Sequence, residues 1–204
     1  MLKKIARTIL GILLIYSAVA FAIKASIGVL PVDAAITSIA TLIGMKVGTF
    51  SMLFHGSFFL GQIAIERKNF RKTEFLQLLY ITLGGSVLNF FLYTVLKDVS
   101  FSFYPLRVIV CLAAFAVSSF GCTLVLETHL MRTPMEGLIQ LIADRMNTPM
   151  GSLRQKIDIA LVIISVAITL IFGVEWTLRE GTVIAALLFG PMMDFWKKHV
   201  FNRG

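Results

Sequence analysis

Residues 31–49, PVDAAITSIATLIGMKVGT, and residues 134–152, PMEGLIQLIADRMNTPMGS, decide how this chain reads. Laid on one another at an offset of 103 positions without a gap, they share Pro31/Pro134, Ile36/Ile139, Ile39/Ile142, Ala40/Ala143 and Gly48/Gly151. Asp33/Glu136 and Thr49/Ser152 are chemically close. A weaker match sets Gly85-Ser86-Val87-Leu88 on Gly181-Thr182-Val183-Ile184 at an offset of 96, as if the second half had lost a few loop residues. The pattern reads as an internal duplication of the kind transporter folds carry.

Around these segments lie five stretches without Asp, Glu, Lys or Arg: Thr8 to Ile23, Val47 to Ile65, Phe75 to Leu96, Val108 to Leu126 and Ile159 to Val174. A bilayer core takes about 20 mostly apolar residues per helical span, so each stretch predicts a transmembrane helix. A sixth span is assembled from Leu178 to Trp196, which carries Glu180, Asp194 and a Gly190-Pro191 break. The whole composition agrees: 57% hydrophobic and only 15% charged residues, with a mean hydropathy of +0.87. Soluble domains carry about 25% charged residues. The expected fold is an all-α polytopic membrane domain over residues 1–204, with one repeat over about 5–98 and the other over about 105–200.

The net charge of +8 does not point to nucleic acid, because Lys and Arg fall between the apolar runs, where they orient a chain in a membrane. With the N-terminus in the cytoplasm, fourteen of the 19 basic residues fall inside: Lys3, Lys4 and Arg7; Arg67, Lys68, Arg71 and Lys72; Arg132, Arg145, Arg154 and Lys156; Lys197, Lys198 and Arg203. Lys24, Lys46, Lys97, Arg107 and Arg179 fall outside. The positive-inside bias therefore predicts six spans with both termini cytoplasmic. Lys3, Lys4 and Arg7 before an apolar stretch, with Ala18-Val19-Ala20 behind, imitate a secretion signal. The segment has a counterpart in the second half, so it is read as an uncleaved first span.

Each half contributes three spans, an odd number, so the second half enters the membrane from the opposite face and the repeat is inverted. The segments Pro31 to Met45 and Pro134 to Asn147 are too short to cross a bilayer. Proline suits the first helical position, and Thr133-Pro134-Met135-Glu136 fits a capping box. Both segments read as re-entrant or interfacial half-helices.

Gly28-Val29-Leu30-Pro31-Val32-Asp33, with Gly48-Thr49 following and Gly181-Thr182-Val183-Ile184 to Gly190-Pro191 near the end, resembles the bacterial YczE/YitT group of integral membrane proteins. Members often carry an aromatic residue where this chain has Val32, and YitT-like proteins commonly add a soluble C-terminal domain, so a YczE-like member is the closer description. The resemblance implies a transporter-like protein of the bacterial cytoplasmic membrane and supplies no catalytic residues.

The expected substrate-binding residues are Asp33, Glu136, His55, Arg132, Pro31, Pro134, Gly48, Thr49, Gly151 and Ser152. Asp33 and Glu136, each two residues after its proline, either complement a helix dipole or line a central cavity from the two sides and bind a cation, proton or amine. His55, two turns along the second span, is an ionisable group at membrane depth, competing with a plain helix-to-helix hydrogen bond. Arg132 precedes Pro134 and either snorkels to headgroups or holds an anion at a half-helix N-terminus. Gly48-Thr49 and Gly151-Ser152 either pack helices closely or offer backbone to a ligand. Asn89, Ser118 and Ser119 read as bonds across helices. Asp158, four residues after Arg154, reads as an i,i+4 ion pair.

The expected function is a small secondary transporter of a small polar or zwitterionic metabolite, since two carboxylates and a guanidinium are at hand and no aromatic cage is evident. A receptor or assembly factor without transport is the alternative. A membrane enzyme acting on lipid headgroups stands behind both, because Gly-x-Ser-x-Gly, His-Glu-x-x-His, phosphate-loop and Asp-rich metal motifs are all missing from the sequence. No cofactor, metal ligand or cysteine pair is expected; Cys111 and Cys122 lie eleven residues apart on one helix, about 16 Å along it. The glycine-rich faces suit a homodimer or packing within one chain equally.

Overall fold

The computed structural model describes residues 2–201, so Arg203, counted above with the inside charges, lies outside the described residues. Among these residues there are eight α-helices and no strand. They are α1 (Leu2–Ala25), α2 (Pro31–Leu42), α3 (Val47–Glu66), α4 (Gln77–Phe90), α5 (Tyr104–Glu127), α6 (Pro134–Met146), α7 (Met150–Phe172) and α8 (Glu180–Trp196). Short 3-10 turns at Arg67–Asn69 and Lys72–Leu76 join α3 to α4, and π-helical turns at Phe91–Val95 and Lys197–Phe201 extend α4 and α8.

Four helical stretches are long and apolar enough to cross a membrane: Leu2–Ala25, Lys72–Val95, Tyr104–Glu127 and Met150–Phe172. A fifth is formed if α2 and α3, which meet at a bend of 119°, are taken as one broken span. Their outward faces carry large bare apolar side chains, among them Leu60, Ile109, Leu170 and Ile171. Such a surface is costly in water and suited to lipid.

The proline rule places both short helices. α2 begins at Pro31 and α6 at Pro134, where the missing N–H costs nothing, and at 12 and 13 residues each is about 18–20 Å long. α2 ends near Gly44 and α6 at Asn147, the equivalent position, and both residues take the left-handed conformation that closes a helix. The offset of 103 then continues: α3 and α7 start at Val47 and Met150, α4 and α8 at Gln77 and Glu180. This corrects the offset of 96. Gly85 lies in the middle of α4 whereas Gly181 is in the first turn of α8, so the offset of 96 does not set equivalent positions of these two helices on one another.

Two expected boundaries move. α7 starts nine residues before the charge-free run at Ile159 and carries Arg154, Lys156 and Asp158 within its first turns. α8 runs straight through the Gly190-Pro191 break. Pro191 removes one N–H from the helical ladder, and the π-helical turn beyond Trp196 follows it.

α1 and α5 cross at the centre of the molecule, where Gly11 and Gly121 bring the two backbones together; a methyl group on Gly11 would lie 2.8 Å from the Gly121 carbonyl oxygen. Around this pair, α1 packs on α4 as α5 packs on α8, and α2 packs on α7 as α6 packs on α3. Exchanging the two halves leaves these pairings unchanged. One pairing breaks the rule: α3 packs closely along α4, whereas α7 and α8 barely touch.

Candidate functional site

Between α7 and α8 the molecule opens into a cavity of about 710 Å³. Volumes of roughly 300–1,000 Å³ are typical of small-molecule sites. Its floor is formed by the first turns of the two short helices, which bring in Pro31, Val32 and Asp33 from α2 and Thr133, Met135 and Glu136 around the start of α6. Tyr16 of α1, His55 of α3, Tyr80 of α4 and Ser118 and Cys122 of α5 close the back. Gly151, Arg154, Gln155 and Asp158 of α7 and Phe189, Gly190 and Met193 of α8 form the two walls.

The charged groups are unevenly matched. Arg154 Nε donates to both carboxylate oxygens of Asp158, at 3.0 and 3.2 Å, the i,i+4 pair its spacing predicts. Its Nη1 lies 3.9 Å from Glu136 Oε1. One guanidinium thus serves two carboxylates. Among the described residues Asp33 makes no ion pair and its carboxylate has no hydrogen-bond donor. The capping box at α6 is half formed: Thr133 Oγ1 accepts from the Glu136 backbone N–H at 3.4 Å, while the Glu136 side chain turns to Arg154.

His55 is buried, and its Nδ1 lies 2.9 Å from the Ser51 carbonyl oxygen and 3.3 Å from Ser51 Oγ, one helical turn back. Its ring stands 6.0 Å from that of Tyr80, which meets the Tyr16 ring edge-on at 5.4 Å. Two aromatic rings therefore stand in the back wall of the cavity. Tyr16 and Tyr80 sit inside long apolar runs and lie 64 residues apart, so only the packing of α1 on α4 reveals the pair.

Five of the ten expected binding residues line the cavity: Pro31, Asp33, His55, Glu136 and Gly151. The other five do not. Gly48 N–H donates to Asn89 Oδ1 at 2.9 Å and Thr49 Oγ1 accepts from Asn89 Nδ2 at 2.9 Å, so both serve the α3–α4 seam. The Pro134 carbonyl accepts from Gln62 Nε2 at 2.8 Å, and the Arg132 backbone N–H donates to Glu74 Oε2 at 3.4 Å. Ser152 is exposed on α7, turned away from the cavity that its neighbour Gly151 lines. Asn89 and Ser119 bond across helices as expected, Ser119 Oγ accepting from Trp196 Nε1 at 3.1 Å.

Ser118 behaves differently from its neighbour. It is 4% exposed, its hydroxyl has no hydrogen-bond partner, and it lines the cavity together with a small apolar recess that it shares with Asp33, Ala18, Ala22 and Phe115. Sequence reasoning did not find Arg154, Gln155 and Asp158 as cavity residues; the only signal for them is that five polar side chains, with Ser152 and Lys156, open an otherwise apolar helix.

No group of three His, Cys, Asp or Glu side chains among the described residues is arranged to hold a metal ion, and both cysteines are free thiols. No curated protein and no solved structure matches the chain. A family match does cover it almost from end to end: over residues 2–198 the chain belongs to a family of unknown function, DUF6198.

Proposed function

We propose that the chain is a small secondary transporter built from two inverted halves, α1–α4 and α5–α8, which carries a small metabolite across the bacterial cytoplasmic membrane by alternating access. The observation that carries this reading is that Asp33 and Glu136, at equivalent positions on two proline-led helices, line one cavity. Helix N-termini meeting at a central site are what broken-helix transporters use to hold a solute.

The duplication is supported by elements that share no residue type. Gln62 and Glu74 bond α6 and the segment before it; Ser165 and Thr177, each 103 positions later, bond α2 through Ser38 Oγ at 2.8 and 2.9 Å. Six spans follow if α2 and α6 are half-helices and α8, with its π-helical extension, crosses as the last span. The charge bias then sets both termini in the cytoplasm. A YczE/YitT-like relationship fits the same picture.

The one broken pairing supports alternation. On this reading the Gly48–Asn89 seam shuts the outer side, and the gap between α7 and α8 opens the cavity inward. A methyl group on Gly48 would meet Asn89 Oδ1 at 2.7 Å and collide with the Gly85 carbonyl, whereas one on Gly151, its counterpart, meets nothing within 4 Å. The partner state would close α7 on α8 and part α3 from α4.

Counterflow in proteoliposomes tests the proposal, with tritiated amines, amino acids and small cations chosen by a thermal-shift panel on the purified chain. Exchange by the native protein that is lost in Asp33→Asn and Glu136→Gln is the expected result. Full exchange by both variants removes the carboxylates from the mechanism; no exchange of any panel member that stabilises the protein points to a receptor.

A further inference from the structure

We infer that the cavity takes an organic cation, a protonated amine on an apolar body, with Asp33 as its counter-charge and Ser118 as the acceptor for an ammonium N–H. This rests on reading the cavity as a ligand site and narrows the solute from a small polar or zwitterionic one.

Four independent features converge on it. The first is the charge balance: Asp33, Glu136 and Asp158 face one guanidinium, with His55 counted as neutral, so the lining is formally negative. Arg154 is already engaged by Asp158 at 3.0 Å and Glu136 at 3.9 Å, which leaves no free cation for the carboxylate of an anion or a zwitterion. Asp33 alone has no such partner.

The second is Ser118. A buried hydroxyl without a hydrogen-bond partner is expensive, and native structures keep few of them. Ser118 borders both the cavity and the narrow recess that Asp33 also borders, so its unpartnered hydroxyl is assigned to the ammonium that the carboxylate holds.

The third is the aromatic wall. Tyr16 and Tyr80 present rings in the same cavity as the unpaired carboxylate, and a carboxylate set beside aromatic rings is how proteins recognise ammonium groups. The fourth is size and surface. Val19, Leu30, Val125, Val162 and Phe189 make much of the wall apolar, which is wasted on a bare inorganic ion, and the site offers no three-ligand metal group among the described residues.

Three molecules of one shape and different charge decide the matter: 4-phenylbutylamine, 4-phenylbutanol and 4-phenylbutyrate, each measured by equilibrium binding to the full chain in detergent micelles against empty micelles. The amine is expected to bind at least tenfold more tightly than either of the others. Asp33→Asn is expected to cost the amine tenfold or more and to leave the alcohol within about twofold, and Ser118→Ala to cost the amine about threefold. An equal or tighter grip on 4-phenylbutyrate overturns the inference, as does an amine no better bound than the alcohol or indifferent to Asp33→Asn. The order of the three ligands is read on the native chain, so a variant that fails to fold does not blunt the test. Tight amine binding without counterflow sinks the transport proposal and leaves this one standing; counterflow of an anion with the charge order reversed does the opposite.

Discussion

Gln62 Nε2 donates to the Pro134 carbonyl at 2.8 Å, tying the third helix to the start of the sixth across 72 residues of chain. The same amide exchanges hydrogen bonds with Gln77 at 2.8 and 3.0 Å, and Gln77 in turn donates to Glu74 Oε2 at 2.7 Å. All three side chains are buried, and Gln62 and Glu74 tie the network to Pro134 and Arg132 at the start of α6. Ser38, in the second half of α2, Ser165 of α7 and Thr177 before α8 form a second buried cluster, of hydroxyls bonded to one another at 2.8 to 3.0 Å.

The two clasps predict unequal costs. Gln62→Leu strands Gln77 and the Pro134 carbonyl in the interior, and an unpaired buried polar group costs about 1–3 kcal/mol. Thermal unfolding in detergent is expected to show a clear loss for Gln62→Leu and partial recovery in Gln62→Leu/Gln77→Leu. Ser165→Ala is expected to cost about 1 kcal/mol or less, because Ser38 and Thr177 still bond each other at 2.9 Å. Equal losses for the two single variants would show that the clasps do not work in this way.

How much of this was readable beforehand follows from the physics of each feature. Charge-free runs mark helices suited to lipid, and Pro31 and Pro134 mark helix starts because the first helical position loses nothing by the missing N–H. Asp33 stood out because a carboxylate in an apolar setting has few innocent explanations. Arg154 did not, since an Arg and an Asp four apart look like any exposed helical pair until α6 brings Glu136 alongside. Ser118 and Ser119 are adjacent and chemically the same; only the tertiary structure gives one a tryptophan and leaves the other without a partner beside the cavity. The aromatic pair and the α7–α8 gap are likewise properties of packing, which no window of sequence contains.

The contrast between Gly48 and Gly151 predicts opposite steric outcomes. Gly48→Val drives a side chain into the Gly85 backbone and Asn89, so the seam must part and thermal stability should fall. Gly151→Val meets open space in this conformation and should leave stability unchanged. If α7 closes on α8 during the cycle, the same variant should bind ligand and fail to exchange it in counterflow. Gly151→Val protein that exchanges at the native rate would rule out closure at this point.

Inversion of the halves predicts where two loops lie. Lys46 and Pro149 sit at equivalent positions just before α3 and α7, and both are exposed. With Cys111 and Cys122 replaced by Ala, a membrane-impermeant maleimide added to intact cells should label Lys46→Cys and spare Pro149→Cys. Permeabilised cells should label both. Labelling of both in intact cells would put the two loops on one face and end the inverted arrangement.

Arg154 offers the sharpest test of what the cavity wants. Its guanidinium lies between Asp158 and Glu136, so Arg154→Met leaves two more carboxylates unmatched and makes the lining more negative by one charge. For a site that binds a cation, the affinity for 4-phenylbutylamine should rise severalfold, most clearly at low ionic strength, where charge interactions are least screened. For a site that binds an anion or the carboxylate end of a zwitterion, the same substitution removes the one basic group in the lining and should abolish binding. Charge neutralisation and charge recognition thus pull the measured constant in opposite directions, and the sign alone separates them.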